Sequence, residues 1–317
     1  MKIKERKNLH GLLLVNKPTG LTSHDVISRV RRILGTKEVG HSGTLDPLAS
    51  GLMVLLIGEA TKLSSYITEG DKSYRVELQL GIETDTLDIT GQVQKTTPVN
   101  IKSDQVIAAG LALAHEYDLP IPLYSAKKID GQKLYEYARN NEHVEIPFKK
   151  MKFWDVEFLK DVSPALENKY SFNLACSKGS FIRSWVKLLG ENLQVGATMT
   201  ALSRLSSHDF SLDDSIDLES VMKIPDPEQQ TELLINALVP INQALNSIKT
   251  IKISGQDQVL MSNGQISHGL RSRLIVLFKP DFDQYIQVTS ADTGLLMALV
   301  GIEPERGFCL KRVFRYE

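Results

Sequence analysis

A short loop rich in glycine and hydroxyl side chains is the part of this sequence best suited to chemistry. Residues 40–51 read GHSGTLDPLASG and hold three glycines, one proline and a single acidic residue, Asp46. Glycines let a backbone approach a ligand closely, and a loop of this kind can hold one carboxylate in a fixed pose. Such a carboxylate can act as a nucleophile. A plainer interpretation is a tight connector in which Asp46 caps a turn beside Pro47.

The elements around this loop are predicted from hydrophobic spacing. Before the loop, the apolar run Gly11–Val15 indicates a buried strand. Thr22 and Asp25 have the spacing of a capping box, and the apolar residues that follow share one face of a helix that stops at Gly35. After the loop, Leu52–Ile57 has the length and composition of another buried strand.

Later segments predict further strands and a separate C-terminal unit. Residues 74–80 and 170–176 alternate apolar and polar side chains, which is typical of half-buried strands, and a helix is predicted after Gly179. Residues 233–245 predict one helix, and residues 251–314 predict a small β-rich module. The strands expected in that module are Leu274–Phe278, Tyr285–Val288 and Leu295–Leu299.

Composition limits the classes of protein to which this chain can belong. A length of 317 residues predicts two domains, and 42% hydrophobic residues with a net charge of −1 exclude a disordered chain. Any affinity for nucleic acid must therefore come from a local patch, such as residues 1–38, where nine Lys and Arg outnumber three acids. Cys176 and Cys309 offer neither a disulfide framework nor a CxxC-type metal site, and no apolar run is long enough for a signal peptide or a spanning helix. We expect a soluble, cytoplasmic protein.

An ordered series of motifs resembles the bacterial TruB family of tRNA pseudouridine synthases. The series begins with GLLLVNKP at residues 11–18 and GHSGTLDPLASG at residues 40–51. Its other members are GEATK (58–62), DKSYRV (71–76), GIETDTLD (81–88), YSA (124–126), KLYEYAR (133–139), CSKGSFIR (176–183) and LSRL (202–205). One such motif is moderate evidence of relationship, whereas the whole set in this order is strong evidence.

The resemblance implies a fold and a reaction. The fold would be α+β, with a mixed, mainly antiparallel sheet in a catalytic domain of residues 1–248 and a small β-rich, PUA-like RNA-binding domain of residues 249–317. The reaction would convert the T-loop uridine of tRNA, uridine-55, to pseudouridine by breaking the N1–C1′ bond and rejoining the uracil through C5. Since this change is redox-neutral, no cofactor and no metal are expected. The expected partner is the tRNA T-stem-loop, bound by a monomer away from any membrane.

The resemblance also assigns three catalytic residues. Asp46 matches the family's nucleophile, although the resemblance leaves open whether it attacks C1′, adds to C6 or assists glycal formation. Arg183 matches the active-site arginine, which would favour the ionised carboxylate and orient it. Tyr74 matches a tyrosine that stacks under the target base; without the family, Tyr74 is an ordinary core aromatic of a half-buried strand.

Further residues match positions that bind substrate. Lys17 matches a lysine near the active site, His41 a histidine that holds the T loop, and Leu202 an apolar contact to the base. Phe181 stands where the family usually has tyrosine, so this ring can stack but offers no hydroxyl. In the C-terminal unit, phosphate contact is expected from the basic side chains Lys311, Arg312 and Arg315.

Two other classes of function remain open from the residues alone. One is a nucleoside or glycoside hydrolase that pairs Asp46 with Asp85 or Asp88, because such enzymes use two carboxylates. The other is an RNA-binding protein or tRNA chaperone without chemistry, against which the presence of Asp46, Tyr74 and Arg183 together argues.

Overall fold

The structure is a computed structural model that describes residues 9–140, 142–160 and 168–316. Their strands are β1 Gly11–Lys17, β2 Val39–His41, β3 Ser50–Ile57, β4 Lys72–Leu80, β5 Ile82–Thr84, β6 Val93–Thr96, β7 Glu116–Pro120, β8 Lys128–Ile129, β9 Gln132–Lys133, β10 Phe148–Leu159, β11 Lys169–Cys176, β12 Ala197–Ser207, β13 Phe210–Ser211, β14 Ile216–Asp217, β15 Leu238–Val239, β16 Thr250–Ile253, β17 Tyr285–Ser290, β18 Leu296–Glu303 and β19 Gly307–Val313. The α-helices are α1 Ser23–Leu34, α2 Ser64–Thr68, α3 Ser103–Leu111, α4 Leu134–Asn140, α5 Ile182–Asn192, α6 Leu218–Lys223, α7 Pro227–Asn236, α8 Gln256–Ser262 and α9 His268–Leu277. Short 3₁₀ turns cover Gly58–Leu63, Leu212–Asp214 and Ile241–Leu245.

One large sheet forms the centre of the molecule. Its main path runs β14-β1-β3-β12-β4-β11-β10-β7, with β2, β13 and β15 paired at its sides. Neighbouring strands are antiparallel except in the pairs β14–β1 and β3–β12. The prediction of an α+β fold with a mixed, mainly antiparallel sheet is confirmed.

The first helix begins and ends as its sequence predicts. The Thr22 hydroxyl accepts a hydrogen bond from the Asp25 N–H, and the Asp25 carboxylate accepts one from the Thr22 N–H at 2.9 Å, which completes the capping box. Val26, Val30 and Leu34 lie buried on one face of α1. Gly35 ends the helix with a φ of 67°, a left-handed conformation that suits glycine.

The core of the large sheet is built from alternating strand residues and helix α5. Val76 and Leu78 of β4 are fully buried, while Arg75 between Tyr74 and Val76 faces solvent. Trp185 of α5 packs edge-on against Phe172 of β11, with 5.5 Å between ring centroids. The helix that carries Arg183 is thereby fixed against the sheet.

A second, four-stranded sheet lies near the C-terminus. Its order is β16-β17-β18-β19, and its apolar face packs with α8 and α9. Leu296, Leu299 and Phe314 of this unit share one buried cluster with Leu12 and Leu14 of β1. The small C-terminal sheet is confirmed, whereas the domain boundary at residue 249 stays a prediction.

Two local predictions are wrong. Leu274–Phe278 was expected to be a strand, but Leu274–Leu277 forms the end of α9, because Leu270 and Leu274 bury one helical face. The segment 233–245 is not one helix, since α7 ends at Asn236 and a short strand follows, and Pro240 precedes a 3₁₀ turn. Within the described residues, no helix is both long and apolar enough to cross a membrane.

Candidate active site

Four neighbouring strands bring the candidate site residues together. The loop that carries Asp46 leads into β3, Tyr74 lies on β4, and Leu202 lies on β12 between those two strands. Arg183 lies in the first turn of α5, which follows β11. The strand order β3-β12-β4-β11 therefore joins residues that are far apart along the chain.

Asp46 and Arg183 form an ion pair at the centre of this group. Arg183 Nη2 lies 3.0 Å from Asp46 Oδ2, and the Arg183 side chain is 5% exposed while that of Asp46 is 35% exposed. Two backbone carbonyls hold the guanidinium as well, since Nη1 donates to Thr86 O and Nη2 to Tyr124 O, both at 3.0 Å. The carboxylate is therefore the more exposed end of a pair whose cation is held by the backbone.

Opposing effects set the ionisation of Asp46. Burial raises the pKa of the Asp46 carboxyl, and the positive charge of Arg183 acts against that rise. Burial also raises the pKa of the Tyr74 phenol, so this side chain keeps its proton at neutral pH. The site thus combines a desolvated carboxylate with a neutral phenol.

A buried arginine connects the two ends of the loop that carries Asp46. Arg204, on β12, is 2% exposed; its Nε donates to Leu52 O at 2.6 Å and its Nη2 to Gly43 O at 3.3 Å. Gly51, with a φ of 100°, lies so close to the Arg204 backbone that a Cβ would clash with it. Sequence reasoning missed Arg204, although the motif LSRL contains it.

The pair opens into a cleft of about 910 Å³. Asp46, Tyr74, Phe181, Arg183 and Leu202 all line this cleft. A volume in this range is typical of ligand sites.

Lys17 and His41 are not among the described residues that line the cleft. Lys17 is fully buried and donates from Nζ to the carbonyls of Pro18 and Leu21, at 3.0 and 2.7 Å. His41 is half-buried, and its Nδ1 accepts a hydrogen bond from the Gly43 N–H at 3.2 Å. Both side chains support the backbone around the Asp46 loop, a function that residue type alone does not reveal.

The two acidic partners considered for a hydrolase accept hydrogen bonds from nearby backbone and side chains. Asp88 Oδ1 accepts hydrogen bonds from the Thr86 hydroxyl at 2.9 Å and the Thr90 N–H at 3.0 Å. Asp85 Oδ1 accepts one from the Gln92 N–H at 2.8 Å, and neither carboxylate is among the cleft-lining residues. Neither carboxylate therefore lies beside Asp46 on the wall of the cleft.

Basic side chains surround the cleft beyond the ion pair. They are Lys62, Lys72, Lys127, Lys149, Lys178, Arg204 and Arg312. Of the three C-terminal cations predicted to contact phosphate, Arg312 alone lines this cleft, while Lys311 pairs with Glu303 at 2.6 Å and Arg315 lines a separate groove. Among the residues that the structure describes, no three His, Cys, Asp or Glu side chains gather as a metal site requires.

Known proteins resemble this chain in sequence over nearly its full length. The model of the TruB family pseudouridylate synthase N-terminal domain matches residues 31–182. The tRNA pseudouridine synthase B of Bdellovibrio bacteriovorus is 50% identical over 312 residues, which cover 98% of this chain and 99% of that protein. The tRNA pseudouridine synthase B of Bacillus subtilis is 34% identical, covering 96% of this chain and 93% of that protein.

Solved structures share the fold. A chain in the crystal structure of a Cbf5-Nop10-Gar1 complex aligns with a TM-score of 0.68 at 19% identity, over 96% of this chain and 85% of that one. At this identity the likeness concerns the fold alone.

Proposed function

The chain belongs to the TruB family of pseudouridine synthases, and we propose that it converts the T-loop uridine of tRNA, uridine-55, to pseudouridine with Asp46 as nucleophile. The observation that carries this proposal is the 3.0 Å pair of Asp46 and Arg183, which lies on the wall of a cleft large enough for a nucleotide. The reaction breaks the N1–C1′ bond and forms C5–C1′, while N1 gains a proton and C5 loses one.

The target uridine must leave its stacked loop before Asp46 can reach it. Extrusion of a base costs a few kcal/mol, which contacts in the pocket have to offset. Phe181 offers a ring face for stacking, Leu202 an apolar contact and Tyr74 a buried phenol that can both stack and donate a hydrogen bond. These side chains hold the base beside the carboxylate.

Arg183 prepares Asp46 for attack. Burial of a carboxylate removes water that would otherwise stabilise it and makes it a stronger base and nucleophile. The guanidinium, fixed by Thr86 O and Tyr124 O, keeps the carboxylate ionised and aimed into the cleft. This arrangement is compatible with attack at C1′, with addition at C6 and with glycal formation.

The remainder of the tRNA T-stem-loop follows the basic rim of the cleft. Lys127 is exposed at this rim, and Arg312 reaches it from the C-terminal sheet, so phosphates can be neutralised by both parts of the molecule. The C-terminal unit, residues 249–317, acts as the RNA-binding domain. The protein works as a monomer in the cytoplasm, where its substrate is found, and requires no cofactor.

Site-specific mapping on unmodified tRNA tests this function. We expect pseudouridine at uridine-55 and an unchanged RNA mass, and a tRNA transcript with cytidine at that position provides the control. Release of free uracil would indicate hydrolysis, and binding without any product would indicate a non-catalytic RNA chaperone.

A further inference from the structure

Ser23, the first residue of α1, bonds to the loop that carries Asp46. Its hydroxyl oxygen accepts a hydrogen bond from the Leu45 N–H at 2.8 Å and donates one to the Leu45 carbonyl at 3.0 Å. Ser23 is 5% exposed and Leu45 is 3% exposed, so little water competes for either bond. The cap of α1 comes from Thr22 instead, which leaves the Ser23 hydroxyl free for this contact.

The contact fixes the backbone directly before Asp46. The Leu45 carbonyl belongs to the planar peptide unit that joins Leu45 to Asp46, so holding it sets the direction in which the chain enters Asp46. On the other side, the Gly20 N–H donates to the Pro47 carbonyl at 2.8 Å. Ser23 and Gly20 therefore hydrogen-bond to the backbone on both sides of Asp46.

We propose that Ser23 is a positioning residue that orients Asp46 for reaction, a role that rests on the proposed function. A displacement of about 1 Å from the reactive geometry can reduce a rate about a hundredfold. In Ser23→Ala, the N–H and carbonyl of buried Leu45 lose the hydroxyl that binds them, and the loop can relax away from the reactive pose. Asp46 then keeps its chemistry but loses its orientation.

The neighbouring hydroxyl provides a matched control. Thr22→Ala also removes one hydroxyl from the start of α1, but it removes the helix cap instead of the bond to Leu45. For wild type and both variants, we would measure the melting temperature, the affinity for unmodified tRNA and the single-turnover rate of pseudouridine formation. The rates are measured with enzyme in excess, well below the lowest melting temperature.

We expect Ser23→Ala to slow the bound reaction about ten- to a hundredfold with affinity within about twofold of wild type. The rate of Thr22→Ala should stay within about twofold of the wild-type rate, even if its melting temperature falls as much as that of Ser23→Ala. Equal rates for the two variants, or a Ser23→Ala loss found entirely in affinity, would overturn the role of Ser23. An inactive wild type would instead overturn the proposed function.

Discussion

Arg183→Met is the change that most clearly exposes the electrostatics of the site. Methionine removes the charge from a side chain that is 5% exposed and lies 3.0 Å from Asp46. Burial already raises the pKa of Asp46, and Arg183 is the largest influence against that rise. An arginine beside an aspartate lowers the pKa of that carboxyl. Since the Asp46 side chain is 35% exposed, water screens part of this interaction.

The direction in which the pH profile of the rate moves follows from the reactive form of Asp46. A nucleophilic carboxylate must be ionised, so the rate rises with pH as Asp46 loses its proton and then levels off. In Arg183→Met the pKa of Asp46 rises further, so this acidic limb moves to higher pH. The plateau also falls, because the carboxylate is no longer oriented by the guanidinium.

Single-turnover rates measured across the acidic range provide the assay. Lys178→Met is the matched control, because it removes another cleft cation, one that pairs with Glu69 at 2.7 Å instead of with Asp46. This control should leave the acidic limb in place. An acidic limb that stays at the same pH in Arg183→Met would refute the claim that Arg183 keeps Asp46 ionised.

Three other side chains give distinct outcomes. Because stacking needs only a ring face, Phe181→Tyr should react within about twofold of the wild-type rate. Phe181→Ala should lose about ten- to a hundredfold in kcat/KM. A large gain in rate with tyrosine would contradict this explanation. Arg312→Met should weaken tRNA binding and reduce the slope of log affinity against log salt by about one, and an unchanged slope would exclude phosphate contact. Burial lowers the pKa of Lys17 from 10.5 to about 8, so between these values the unfolded chain binds more protons and stability rises with pH. Urea unfolding should show a rise that is larger in wild type than in Lys17→Met, by up to about 3 kcal/mol. Parallel pH profiles for the two proteins would contradict the shift of Lys17.

The predictions that held depend on contacts close together in sequence. Thr22 and Asp25 are three residues apart, so their capping box and the end of α1 at Gly35 could be predicted from the sequence. The strands β1, β3, β4 and β11 follow from apolar runs or from alternation. The run Leu274–Phe278 is short and apolar throughout, so its sequence does not distinguish a strand from the buried turn of a helix.

Contacts between distant residues could not be predicted from local pattern. Asp46 and Arg183 meet because the sheet places β3 and β11 on either side of β12 and β4, within one cleft. In the sequence, only the family resemblance indicated that pair. The sequence places Ser23 at the start of a helix, whereas its hydrogen bond to Leu45 depends on how α1 packs against the loop. Lys17 matched an active-site position, but its ammonium group binds carbonyls behind the loop and not the cleft.

Asp46→Asn tests the central claim most directly. Asparagine keeps the shape of the side chain but is a poor nucleophile, so tRNA binding should persist while single-turnover formation of pseudouridine falls below roughly a hundredth of the wild-type rate. Asp85→Asn, which changes a carboxylate that is not among the cleft-lining residues, should react at close to the wild-type rate. Pseudouridine formation by Asp46→Asn at more than about a hundredth of the wild-type rate would contradict the assignment of Asp46 as the nucleophile.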